Sequence, residues 1–177
     1  MDEIIKRAID LTQKEIKEYP NKILSESDFE RMLAGNIDSL LKENNPEGFI
    51  VHTQVSYYDE KGKKNTPKYR VDILLMKENE ILDCQEHNKG FVYAGISYPI
   101  EVKYLHEQNS LKGVYTDFEK ANFLLDTNGS MYVVVLFDKQ NPKKNRCIKN
   151  KYEEVLSSLK NSQKRLKYIL LYKNEEA

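Results

Sequence analysis

The run Met131–Phe137, MYVVVLF, is apolar or aromatic throughout and carries consecutive β-branched valines. Such a segment reads as a strand, and one without alternating polar positions must be covered on both faces. A chain built around it therefore needs a sheet with helices packed on it. The residues on either side agree. Before the run, a helix is expected from about Thr116 to Asn128-Gly129, with Asp117 as cap or first-turn acid and Phe118, Ala121, Leu124 and Leu125 on its apolar side. Before that helix, Tyr98–Leu105 (YPIEVKYL) has strand character, with Pro99 at its start. Strand, helix, strand over this distance implies a right-handed parallel crossover.

The N-terminal half supplies two helices and a hairpin. Ile5, Ala8, Ile9, Thr12 and Ile16 recur at helical spacing within residues 2–18, and Pro20 stops that helix. A second helix opens at Ser25–Asp28, carries Phe29, Met32, Leu33, Ile37, Leu40 and Leu41, and ends in Asn44-Asn45-Pro46. The period then shortens to two. Phe49–Tyr58 and Tyr69–Met76, joined by DEKGKKNTPK, form an antiparallel hairpin. Lys77–Ala94 is polar and reads as a loop or flap, with a short strand at Ile81–Cys84. A helix from Lys151 to about Ser162 and a strand over Leu166–Tyr172 close the chain. The expectation is a single α/β domain over residues 1–177 with a mixed sheet.

Two strand positions carry the chemistry. On Tyr98–Leu105, Ile100, Val102 and Tyr104 fall on one face, while Glu101 and Lys103 share the other, about 6.6 Å apart. Charges on a covered strand cost several kcal/mol unless a metal, a partner or a substrate compensates. Asp72 poses the same problem within VDILLM, where it shares a face with Leu74 and Met76, opposite Val71, Ile73 and Leu75. If the two strands are neighbours, Asp72 and Glu101 converge. With the Val102 backbone carbonyl and water they make an oxygen-only Mg²⁺ site, beside which Lys103 holds or activates a water. The acid-x-Lys triplet also occurs as Glu15-Ile-Lys17 and Asp59-Glu-Lys61, but only Glu101-Val-Lys103 lies on a strand that should be covered.

This order of helix, Asp-bearing hairpin, Glu-x-Lys strand, helix and strand resembles the αβββαβ core of PD-(D/E)xK, or restriction-endonuclease-like, nucleases, over roughly residues 25–137. The resemblance implies that Asp72 and Glu101 ligate Mg²⁺ or Mn²⁺ and that Lys103 is the catalytic lysine. Glu30 matches a glutamate that many members carry in the preceding helix. Val71 stands where the family name has Pro. The stretch Gly113-Val-Tyr-Thr-Asp117 with Lys120 is similar to the helix after the catalytic strand, with no role assigned.

Plainer readings stand beside these. Glu101 and Lys103 could be an ion pair on an open-faced edge strand, and Asp72 an exposed hairpin acid. Ser27-x-x-Glu30 spells a capping box, which leaves Glu26 as the alternative acid. His52, His87 and His106 lack metal-ligand spacing, and Tyr104 reads as a core or cleft-wall aromatic.

Lys and Arg total 28, as do Asp and Glu, so no overall field points to nucleic acid. Two acid-free basic clusters can still hold a phosphate backbone. They are Lys61, Lys63, Lys64, Lys68 and Arg70, flanked by Tyr57, Tyr58 and Tyr69, and a second set containing Lys139, Lys143, Lys144 and Arg146. Cys84 and Cys147 read as reduced thiols, and no apolar run approaches the roughly twenty residues of a membrane span, so a cytoplasmic location is expected. The expected activity is Mg²⁺-dependent endonucleolytic cleavage of DNA in restriction, defence or mobile-element biology, by a homodimer if both strands are cut. The alternatives are a catalytically silent nucleic-acid- or protein-binding module on the same fold and an RNA-directed nuclease.

Overall fold

Alternating layers follow directly from the apolar patterns. In the computed structural model, which describes residues 1–44, 47–57, 69–83, 91–93, 95–125 and 129–174, helix α1 (Asp2–Glu18) buries Ile5, Ala8, Ile9, Thr12 and Ile16. Helix α2 (Glu26–Glu43) buries Phe29, Leu33, Ile37, Leu40 and Leu41. Its cap is Ser25, whose Oγ accepts the Asp28 amide at 3.2 Å, while Asp28 Oδ2 accepts from the Ser25 hydroxyl at 2.9 Å and the Leu24 amide at 3.1 Å. The reciprocal cap is thus Ser25/Asp28 and not Ser27/Glu30. Glu30 is left free to face the sheet, where it is buried.

The main sheet has five strands: β1 (Phe49–Tyr57), β2 (Tyr69–Lys77), β5 (Tyr98–Leu105), β6 (Met131–Lys139) and β7 (Leu166–Asn174), side by side in that order. β1–β2 and β2–β5 are antiparallel, β5–β6 and β6–β7 parallel. Helix α3 (Lys112–Leu124) makes the crossover between β5 and β6. The sequence α2-β1-β2-β5-α3-β6 is therefore the expected αβββαβ core in a mixed sheet. A separate ladder pairs β3 (Ile81–Asp83) with β4 (Phe91–Tyr93). Residues 84–90 and 94, the rest of the expected flap, lie outside the described residues.

Two helices begin earlier than their patterns suggest. α3 starts at Lys112, not Thr116, because Val114 extends the buried stripe of Phe118, Ala121 and Leu124 backwards. Asp117 is consequently not a cap; it lies in the body of the helix and is buried. α4 runs Pro142–Ser158 rather than from Lys151. Only Ile148 and Val155 are fully buried on it, too few to mark a period. Its start is set instead by Asn141, which accepts the Lys144 amide at 3.0 Å, followed by Pro142 in the first turn.

β6 divides the core. Tyr132, Val134 and Leu136 pack with α1 and α2, whereas Val133, Val135 and Phe137 pack with α3 and α4. The sheet is thus covered on both faces. At the start of β6, Gly129 is needed for close approach. A Cβ there would stand 2.6 Å from the Tyr98 ring, while the Gly129 amide donates to Ser97 O at 2.7 Å. Gly129→Ala is expected to destabilise the fold by about 1–3 kcal/mol through this overlap, read from the midpoint of urea unfolding.

Candidate functional site

The site is a fork between two strands. The β2–β5 ladder pairs Leu75↔Tyr98, Leu74↔Pro99 and Ile73↔Ile100 and then stops. The next residues in line are Asp72 and Glu101. Beyond the fork, β5 no longer has a neighbouring strand to accept its amides on that side, and unpaired backbone donors need acceptors. Two carboxylates serve. Asp72 Oδ2 accepts from Val102 N at 2.9 Å, and Glu26 Oε2, from the first turn of α2, accepts from Tyr104 N at 3.4 Å.

β2 is distorted at this point. Val71 packs with Leu74 and Met76, not with Ile73 and Leu75, so the expected alternation breaks at Asp72. Gln54, which falls between the β1–β2 pairs Thr53↔Ile73 and Val55↔Val71, adopts φ 57°, a left-handed backbone. From there its side-chain amide donates to Glu30 Oε2 at 2.5 Å. The irregularity turns Asp72 toward β5 and ties Glu30 to the hairpin.

On the α3 face, carboxylates and ammonium groups interleave. Lys103 Nζ lies 3.0 Å from Glu26 Oε1 and 3.5 Å from Asp117 Oδ2. Lys120 Nζ lies 2.9 Å from Glu101 Oε2 and 3.0 Å from Asp117 Oδ1, and donates to Arg70 O at 3.2 Å. Gly113 leaves room for the Lys103 stem, which a Cβ would meet at 3.4 Å. Glu101 is 0% exposed and Asp117 2%. Both keep buried oxygens without a hydrogen-bond partner, Glu101 Oε1 and Asp117 Oδ2 among them. Orphaned carboxylate oxygens beside Asp72 are the donor chemistry a hard divalent cation takes. Among the described residues, no three or more His, Cys, Asp or Glu side chains are drawn together at metal-ligand spacing.

Burial raises the Glu101 carboxyl to about 9, with the Asp117 and Asp72 charges adding to it and Lys120 partly offsetting it. Burial likewise raises Asp117, against the pull of Lys103 and Lys120. Glu30 is raised by burial, opposed by the Gln54 hydrogen bond and reinforced by Asp72. For the lysines, burial acts downward but is outweighed. Asp117 and Glu26 hold Lys103 above its ordinary value, as Glu101 and Asp117 do Lys120.

Asp72, Glu101 and Lys103 are thus brought together, and Glu30 stands close enough to Asp72 to feel its charge. Val102 enters through its amide. β5 is the third of five strands, which removes the edge-strand reading of Glu101 and Lys103. Asp117, expected as a helix cap, and Lys120, expected to have no role, are the further partners. Asp117 sits next to the buried stripe of Val114 and Phe118, and Lys120 follows it at i+3, which was the available signal. His106 lies exposed in the loop after β5. Its Nδ1 meets Asp138 Oδ2, whose Oδ1 accepts from Tyr104 OH at 2.5 Å.

Of the basic residues, Lys61, Lys63, Lys64 and Lys68 lie outside the described residues. Arg70 is exposed on β2, and Lys143 and Arg146 are exposed on α4. Lys144 donates to the carbonyls of His106, Glu107 and Asn109 at 3.3, 2.6 and 2.7 Å, pinning the loop after β5. Among the described residues, no helix is long and apolar enough to cross a membrane.

No protein-family model matches the sequence, and neither does any curated protein. Among solved structures, the chain is similar to NucC of E. coli MS115-1 in its cAAA-bound form, with a TM-score of 0.52 at 9% identity, covering 96% of this chain and 75% of that one. At that identity the likeness is one of fold: a single α/β domain with a five-stranded mixed sheet flanked by helices.

The Glu101 shift has a measurable consequence. Between the ordinary carboxyl value of about 4.3 and the folded value of about 9, the folded state holds a proton that the unfolded state releases. Metal-free stability should therefore fall as pH rises through that window, by at most about 1.4 kcal/mol per pH unit. Glu101→Gln is expected to flatten this slope and to raise the urea midpoint at pH 8 more than at pH 5, in EDTA.

Proposed function

We propose that the chain is a Mg²⁺- or Mn²⁺-dependent endonuclease that hydrolyses phosphodiester bonds in DNA. One observation carries the reading. A fully buried glutamate, Glu101, lies across a strand fork from Asp72, with Lys103 on the same face two residues on. No stability argument favours burying that acid, whereas a cation-binding role does.

Asp72 and Glu101 would hold the cation, with the Val102 carbonyl as a further oxygen donor. A divalent cation bound there supplies Lewis acidity at a phosphoryl oxygen and lowers the pKa of bound water. The chain's own groups do the remainder. Asp72, fixed by the Val102 amide, sets where its free oxygen points. Lys103, held protonated by Asp117 and Glu26, is a donor and not a general base. It orients the attacking water and offsets negative charge as the phosphorus becomes five-coordinate. Glu30 fixes the hairpin through Gln54 and lines the α2 side.

Arg70, Lys143 and Arg146, with Lys61, Lys63, Lys64 and Lys68, are the residues proposed to meet the DNA backbone. Lys144 belongs to that set only if it leaves the loop carbonyls. Cleavage of both strands calls for two centres and hence a homodimer. We place this activity in a restriction, defence or mobile-element setting in the cytoplasm.

The test is incubation with plasmid, single-stranded DNA and RNA in Mg²⁺, Mn²⁺ or EDTA. Metal-dependent DNA cleavage is expected, reduced about 100-fold or more in Lys103→Ala. Cleavage of RNA alone would transfer the reading to an RNA-directed nuclease. Identical products from wild type and Lys103→Ala, or none with any metal, would overturn it in favour of a silent binding module.

A further inference from the structure

We infer that the Lys120 ammonium holds the Glu101 oxygen that the cation seat needs and that a divalent metal enters only by displacing it. This rests on the nuclease reading above and adds to it a built-in competitor. Lys120 Nζ has three oxygen partners, Glu101 Oε2 at 2.9 Å, Asp117 Oδ1 at 3.0 Å and Arg70 O at 3.2 Å. Two carboxylates and a backbone carbonyl are the donor types a Mg²⁺ or Mn²⁺ ion selects. Glu101 Oε1, on a side chain that is fully buried and without a hydrogen-bond partner, points to further unused donor capacity at the same place.

One lone pair cannot serve an N–H donor and a metal together. Mg²⁺ also needs its oxygens at about 2.0–2.1 Å, nearly an ångström closer than an ammonium holds them. The carboxylates must draw in and the like-charged ammonium must leave. Lys120 has a route out to solvent. Its side chain is 13% exposed, and the lysine stem is long and flexible. Lys103 is not its duplicate, because its second partner is Glu26 on α2, away from Glu101. Lys120 is thus a positioning residue. It stands against Glu101 and Asp117 in the metal-free protein and sets a threshold for metal entry.

The experiment reads metal binding without nucleic acid. Isothermal titration with Mn²⁺ should show Lys120→Met binding about tenfold tighter than wild type, and Asp72→Asn binding more weakly than wild type. In parallel, wild-type protein is reductively methylated with formaldehyde, with and without Mg²⁺, and each lysine is read by peptide mass spectrometry. Lys120 should become several-fold more reactive with Mg²⁺, while Lys144 should not change. If wild type binds Mn²⁺ but Lys120→Met binds no tighter, or Lys120 is equally protected with and without Mg²⁺, the displacement is overturned and the metal site stands. If neither protein binds Mn²⁺, both fall. Should Lys120→Met fail to fold by circular dichroism, the methylation of wild type decides.

Discussion

The parting of β2 from β5 after Ile73 and Ile100 is the constraint on which the site depends. A sheet that stays zipped satisfies its own amides. One that opens in the middle leaves donors that water cannot easily reach. Here side-chain carboxylates take the place of the missing strand, Asp72 for Val102 and Glu26 for Tyr104. The acids are thus required by the backbone before any ligand is considered. Their presence then obliges cations to follow, and Lys103 and Lys120 arrive from β5 and α3. The left-handed turn at Gln54 is the local expense of opening the sheet, and it recurs as a tie to Glu30.

Burial makes that arrangement tense. Glu101 and Asp117 are shifted toward the protonated form, whereas the two lysines beside them are held charged. Such a cluster resolves its mismatch by holding protons or by exchanging its ammonium for a stronger cation. The same low-polarity surroundings that penalise the isolated acid strengthen every interaction made to it.

Much of this was legible in the sequence. MYVVVLF announced the doubly covered strand, and the intrusions of Asp72, Glu101 and Lys103 into apolar strands marked residues that the fold draws into one cluster. What escaped has physical reasons. α4 buries too few side chains to show a period, so its lysines read as a loop. The start of α3 was masked by Thr116 and Asp117, which resemble a cap while Val114 carries the stripe further back. Ser27 and Glu30 had capping spacing, yet Ser25 and Asp28 made the cap. The roles of Asp117 and Lys120 depend on how α3 lies against β5, a tertiary fact that spacing alone does not encode.

The division of the core by β6 bears on how such a fold diverges. One apolar cluster lies between the sheet and α1–α2, the other between the sheet and α3–α4, and the backbone of β6 stands between them. Each side can exchange its aliphatic residues for others of similar total volume with little effect on the other. The layers can therefore persist while the two halves of the core differ in sequence nearly independently. One fold can thus be specified by sequences that are only 9% identical. The fork is less free, because a change of Lys103 strands an acid on each helical layer at once, Glu26 on α2 and Asp117 on α3.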